Sequence, residues 1–201
     1  SPARRAGWAR STVGSQQHTH PGRPTHQQEG RGTAMKVLSI VRHAKADRPE
    51  GYQNDFSRPL TSRGHKDAAR IGGFMAGIET PVDCIFSSPA SRAAQTADHI
   101  AAELGFAKAV GWEEIIYQAT AEALLDLLRR APEEAEHVVL IGHNPGLEEL
   151  AAGLCSGASD NSVLTLVTAS LAHFELDIAR WSQLRWGAGQ LRLLVPAKML
   201  K

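Results

Sequence analysis

Two arginines and two histidines, far apart in the chain, carry the chemistry that this sequence offers. Arg42 and His43 follow directly on the apolar run Val37-Leu38-Ser39-Ile40-Val41. A guanidinium can fork onto phosphate oxygens, and an imidazole can serve as nucleophile or proton carrier near neutral pH. Arg92 closes the stretch Ser88-Pro89-Ala90-Ser91-Arg92, and His143 stands within Gly142-His143-Asn144-Pro145-Gly146. Each has a plain reading when taken alone: a solvated strand end, a helix-surface arginine, a turn histidine. Asp55 and Glu114 alone read as surface acids. Together the four cationic or ionisable groups would make a dense positive pocket. Such a pocket suits a dianionic phosphoryl group and is unfavourable without an anion, because like charges crowd.

The elements that must position these residues follow from the hydropathy pattern. Val37 to Ala44 reads as a buried strand that delivers Arg42 and His43 at its carboxyl end. Gly64 to Ile78 reads as a helix with Ala68, Ile71, Met75 and Ile78 on one face. Val82 to Phe86 is a short strand, and a helix from about Ala90 to Leu104 follows it, ending at Gly105. There Ser88 is placed to cap the helix, Pro89 suits its first turn, and Arg92 falls in that turn. Lys108 to Trp112 is a candidate short strand and Thr120 to Arg130 a helix. Val138 to Ile141 is a further buried strand, followed by a helix to about Cys155 with Asn144 as its expected N-cap. Val163 to Leu176 alternates like a strand or hairpin, and Leu191 to Val195 reads as the last strand. Strands alternating with helices predict an α/β sheet covered on both faces, with ligands bound outside the carboxyl ends of the strands. Helix N-termini at two of the three junctions would favour a bound anion.

Bulk composition narrows the class. The chain has 201 residues, 42% of them apolar, with 22 basic and 21 acidic residues and a net charge of +1. That balance argues against a nucleic-acid or membrane-surface protein. No apolar run reaches the roughly 18 residues needed to span a bilayer, so a soluble, cytoplasmic protein is expected. Cys84 and Cys155 lie in apolar contexts without CxxC spacing and are expected to be buried free thiols. Residues 1–34 differ: Arg4, Arg5, Arg10, Arg23 and Arg31 face only Glu29, a net charge of +4, with almost no branched aliphatics. This segment is expected to be a disordered extension or leader ahead of Met35, and it lacks the apolar core of a secretory signal. Residues 35–201 are expected to form one catalytic domain.

Arg42-His43, the Ser-Ser-Pro-x-x-Arg-x-x-Gln-Thr of Ser87 to Thr96, and Gly142 to Gly146 together resemble the histidine phosphatase superfamily, the phosphoglycerate mutase-like proteins. Arg58-Pro59-Leu60-Thr61-x-x-Gly64 and the small size resemble its SixA-type phosphohistidine phosphatase branch. The resemblance runs from Met35 to about Val195. It implies a three-layer α/β/α sandwich with a mostly parallel central sheet, and a covalent phosphohistidine intermediate. It implies His43 as nucleophile, Arg42, Arg92 and His143 as the phosphate pocket, and Arg58 as a further phosphate contact. Asp55, three residues before Arg58, is the preferred proton donor; Glu114, three residues before Tyr117, is the rival.

The expected mechanism is attack on phosphorus by neutral His43, with Arg42, Arg92 and a protonated His143 neutralising the equatorial oxygens. Because fixed cations supply the charge, no cofactor and no metal is expected. About fifty residues separate Arg92 from His143, too few to build a lid. An open site suits a phosphohistidine-bearing protein, and it would also admit a small phosphorylated substrate. A small-molecule phosphomonoesterase is the alternative with the same chemistry. A non-catalytic phosphate-binding module is a weaker one, and a zinc site on His43 and His143 lacks a third ligand at motif spacing.

Overall fold

In the computed structural model, which describes residues 35–158 and 164–201, the apolar run before Arg42 forms strand β1 (Lys36–Arg42). Ser62–Ala76 forms α1, Cys84–Ser87 β2, Ser91–Leu104 α2, Gly111–Trp112 β3, Ala121–Leu128 α3 and His137–Gly142 β4. Gly146–Ser156 forms α4, Ser170–Leu176 β5 and Gly189–Pro196 β6. The expected extension at residues 1–34 lies outside the described residues.

The strands make one sheet in the order β3-β2-β4-β1-β5-β6. β1 pairs in parallel with β4, and β2 in parallel with both β3 and β4, while β5 runs antiparallel to β1 and to β6. Only β5 therefore runs against the rest. This is the expected α/β/α sandwich with a mostly parallel sheet. β1 and β4 are apolar along nearly their whole length because both faces of a parallel strand are covered. Leu38, Ile40, Val138 and Leu140 pack with Leu124, Leu128, Leu147 and Leu150 of α3 and α4. Val41, Val139 and Ile141 point the other way, onto Ile71, Met75, Ala97 and Ile100 of α1 and α2.

Two glycines set how closely loops approach the sheet edge. Thr61 caps α1 by accepting the Gly64 N–H at 3.0 Å. A Cβ at Gly64 would come 2.2 Å from the Lys45 carbonyl oxygen. The glycine thus lets α1 sit against the chain just past His43. A Cβ at Gly146 would come 2.2 Å from the Ala119 carbonyl oxygen, so the start of α4 is pressed onto the turn that carries Tyr117.

Four local expectations need correction. Asn144 does not cap α4: Pro145 holds that position without a side-chain bond, and the Asn144 amide donates to the Leu166 carbonyl at 2.9 Å. Ser88 does not cap α2, whose N-cap is Ala90; its hydroxyl accepts the Ala90 N–H at 3.3 Å and meets His143. The strand or hairpin expected over Val163 to Leu176 is, among the described residues, a single strand that begins only at Ser170. Before it, Leu166 spends its backbone groups on side chains: its N–H donates to Glu148, and its carbonyl accepts from Arg42 and Asn144. Val163 itself lies outside the described residues. Cys155 is exposed rather than buried, and Cys84 is half-buried; neither is disulfide-bonded. No helix among the described residues is long and apolar enough to cross a membrane.

Candidate active site

β2, β4 and β1 are consecutive in the sheet, so the three βα junctions open side by side at one edge. Arg42 pairs with Gly142 across β1 and β4, and the His43 N–H continues that register onto the Gly142 carbonyl at 3.1 Å. The His43 and His143 rings consequently lie 5.1 Å apart between centroids, close to the roughly 4.8 Å between neighbouring strands. Arg92, in the first turn of α2, reaches across from β2 and donates its Nε–H to His43 Nε2 at 3.3 Å.

The His43 tautomer is fixed by its neighbours. Its Nδ1 lies 2.8 Å from the Ala44 carbonyl oxygen, which only accepts, so Nδ1 carries the proton. Nε2 is then the lone-pair nitrogen, and it faces the Arg92 N–H. Burial, and next the charges of Arg92, Arg42 and Arg58, push the imidazole down to about 4 against the support of the Ala44 bond. His43 is a neutral base at physiological pH with its nucleophilic nitrogen turned toward a cation.

His143 is also neutral at rest. Burial, then His43 and Arg92, push its pKa down to about 3, only partly opposed by Asp55. It is neutral in the free protein, whereas the imidazolium expected from the sequence belongs to the state with a phosphoryl group bound. A bound dianion would add the opposite charge that favours its protonation. Its Nε2 lies 3.0 Å from the Ser88 hydroxyl, and its Nδ1 is buried without a partner. Arg42 Nε and Arg58 Nε are also buried without a hydrogen-bond partner among the described residues. Unpaired buried polar atoms are costly, and here three of them, two guanidinium N–H donors and a ring nitrogen, belong to the residues expected to hold a phosphate. Arg42 is steered by one bond, Nη1 to the Leu166 carbonyl at 2.6 Å.

Asp55 joins the cluster. Its carboxylate lies 2.8 Å from Arg92 Nη2 and 2.7 Å from Arg58 Nη2, and it accepts the Tyr117 hydroxyl at 3.1 Å. Burial raises its pKa, but Arg92, Arg58 and Tyr117 together outweigh that and hold it below the ordinary value. It is an ionised clamp on two arginines in the resting site and carries no proton to donate. Glu114 is exposed on the 3-10 turn Glu114–Ile116, and its side chain makes no bond to the cluster among the described residues.

Sequence reasoning missed Tyr117, the partner in the spacing that drew attention to Glu114. Its ring meets His143 edge-on at 5.4 Å, lies beneath the Arg92 guanidinium at 5.8 Å, and packs against Phe56 at 5.1 Å. The signal was present in Gly142 and Gly146. Ile116 sits where a Cβ at Gly142 would be, and that contact lays the turn over the strand end. The Gln-Thr of the second motif also gains a physical reason. Gln95 accepts the Leu60 N–H at 2.7 Å, and Thr96 accepts the Ala44 N–H at 3.0 Å while donating to the Arg92 carbonyl. These bonds lock the Arg58 loop and the His43 peptide to α2. Among the described residues no three potential ligands converge as a metal site.

Three buried histidines make the fold acid-sensitive. His137, on β4, is also pushed down to about 4, chiefly by burial, beside Ser39 and the Thr80 carbonyl. The unfolded chain binds a proton at each histidine near pH 6.5, whereas the folded one refuses it until about pH 4 or below. This stability is complete above pH 6.5 and is lost as pH falls toward 4. At pH 5 the loss amounts to at most about 2 kcal/mol per histidine. Thermal unfolding at pH 7.5 and at pH 5 should show a clearly lower Tm at pH 5, and His137→Asn should shrink the difference.

The sequence model of the histidine phosphatase superfamily (branch 1) matches residues 38–135. An uncharacterized protein of Mycobacterium tuberculosis, Rv1276c, is 31% identical over 116 residues, which is 58% of this chain and 70% of the relative. The protein histidine phosphatase SixA, solved with tungstate, superposes with a TM-score of 0.70 at 22% identity, covering 82% of this chain and 99% of SixA. The mycobacterial glucosyl-3-phosphoglycerate phosphatase Rv2419c gives a TM-score of 0.61 at 18% identity, covering 79% of this chain and 98% of that one. The protein belongs to the histidine phosphatase superfamily, and it shares its fold with a protein histidine phosphatase and with a glucosyl-3-phosphoglycerate phosphatase.

Proposed function

We propose that this protein is a metal-independent phosphatase that hydrolyses phosphohistidine in proteins through a phosphorylated His43. The observation that carries the reading is the His43 ring: neutral, held at Nδ1 by the Ala44 carbonyl, with Nε2 beside Arg92 and 5.1 Å from the His143 ring. In the first step the Nε2–P bond forms and the bond to the leaving group breaks. Arg42, Arg92, Arg58 and His143 supply donors to the phosphoryl oxygens as charge redistributes, and the dianion draws a proton onto His143. In the second step water attacks phosphorus and the Nε2–P bond breaks; the water's proton passes to solvent, and His143 gives back the proton it took up as phosphate departs.

Asp55 supports the choice of leaving group. Clamped as a carboxylate by two arginines, it does not suit protonation of an alkoxide. A phosphorylated imidazole asks for less, since its free ring nitrogen takes a proton from water and the imidazole departs neutral. The likeness in fold to SixA supports the same substrate class.

The alternative is a small-molecule phosphomonoesterase, and substrate competition separates the two. kcat/KM for a phosphohistidyl peptide should exceed that for sugar phosphates and p-nitrophenyl phosphate by at least about a hundredfold. Equal or greater efficiency on the esters would overturn the phosphohistidine assignment.

A further inference from the structure

The rim of the site is unequal on its two sides. On the β2–β3 side it is aromatic: Phe56 is exposed and packs on Tyr117, and Trp112 stands exposed at the end of β3. On the β5–β6 side lies a cleft of about 280 Å³ lined by Lys45, Arg63, Asp67, Val167, Thr168, Pro196 and Lys198. It opens at the same sheet edge as His43. Lys45 is two residues past the nucleophile, and Val167 follows the Leu166 carbonyl that steers Arg42. The His43 carbonyl accepts the Ala169 N–H, whose own carbonyl accepts the Ala197 N–H, so the far wall is tied to the nucleophile's backbone. β6 lies two strands from β1, and Ala197, bonded through Ala169 to the His43 backbone, directly precedes Lys198, so the backbone that carries Lys198 leaves the sheet about two strand spacings, roughly 10 Å, from that of His43.

The charge in this cleft is uncompensated. Three cations face one carboxylate, and Asp67 is already shared between Arg63 at 3.3 Å and Arg70 at 3.1 Å. Lys45 and Lys198 have no carboxylate partner among the described residues, and both are exposed. The first turn of α1, which carries Arg63, has no acidic residue to offset the positive end of the helix. The catalytic cluster does not use these side chains, and the core does not need them.

We propose that this cleft is a docking subsite for an acidic side chain on the phosphohistidine-bearing protein, about 10 Å from its phosphoryl group. That separation is two turns of a helix, so a carboxylate seven or eight residues from the phosphohistidine on one helix face would fit. A phosphohistidine lacking that neighbour would be bound by the phosphoryl contacts alone. The inference rests on the phosphohistidine reading above and adds to it the feature by which one protein substrate is preferred over another. Charged rims of this kind act mainly on association and on partner choice.

The test uses the full chain and three substrates: a phosphohistidyl peptide helix with glutamates at that spacing, the same peptide with glutamines, and phosphoimidazole. The wild type should favour the acidic peptide by about tenfold in kcat/KM, and the preference should fade with added salt. K45E/K198E should abolish or invert the preference while leaving phosphoimidazole hydrolysis within about twofold. Retention of the full preference in the double variant would overturn the proposal. Equal loss on all three substrates would also overturn it, because the lysines would then act on the phosphoryl site. A wild type that cleaves both peptides equally well defeats the docking subsite alone. One that cleaves neither peptide but turns over phosphate esters defeats the phosphohistidine reading, and the subsite with it.

Discussion

Replacing His43 with alanine is expected to lower turnover by on the order of 10⁴–10⁶, the scale on which covalent hydrolases respond to loss of the nucleophile. The ring makes two polar contacts, one to the Ala44 carbonyl and one from Arg92. It is neutral, so its removal leaves no buried charge without a partner. The fold should therefore survive. His43→Asn is the sharper variant, because its amide can replace the Nδ1–H donor to Ala44 while offering no nucleophilic nitrogen. Circular dichroism and thermal unfolding near wild type, with turnover at background in both variants, are the expected results. Substantial activity in His43→Asn would remove the covalent step from the account.

Arg92→Ala should cost about 10²–10³ in kcat, with a smaller effect on KM. Arg92 is nearly buried, and its fork reaches three acceptors: His43 Nε2, the Asp55 carbonyl at 2.6 Å and the Asp55 carboxylate at 2.8 Å. Arg92→Lys keeps the charge but cannot span those directions from one ammonium group, so it should recover little of the loss. The effect belongs to kcat because the arginine faces the nitrogen that becomes bonded to phosphorus, where charge redistributes in the transition state. A variant whose defect lay wholly in KM would make Arg92 a binding residue only. Asp55 is partly solvated, its side chain 46% exposed, so either variant should fold.

Much of this is legible in the residues alone. Arg42-His43 at the end of an apolar run, a Ser-Pro helix start carrying Arg92, and His143 after a second apolar run need only a parallel sheet to bring them together. The α/β alternation predicts such a sheet. Strand order was not legible, and it is what makes the junctions adjacent: β4 comes between β1 and β2. Tyr117 was missed because its local spacing points to Glu114 as the functional member; contacts of the Ile116–Ala119 turn with Gly142 and Gly146 bring the tyrosine in instead. Asn144 and Ser88 have the right residue type and position for caps. Tertiary partners, the Leu166 carbonyl and the His143 ring, take up their side chains in the folded chain. The charge state of His143 could not be read from residue type, because burial and two neighbours decide it. The same holds for Asp55, a plausible acid by spacing that the fold turns into a clamp on two arginines.

The most direct test of the central claim is to trap the phosphorylated protein during turnover by rapid alkaline quench. The label is then mapped by mass spectrometry and the ring nitrogen assigned by phosphorus NMR. Because the Ala44 carbonyl holds the Nδ1 proton, the phosphoryl group should be found on Nε2 of His43. Phosphate on Nδ1 of His43, or on His143, would contradict the account.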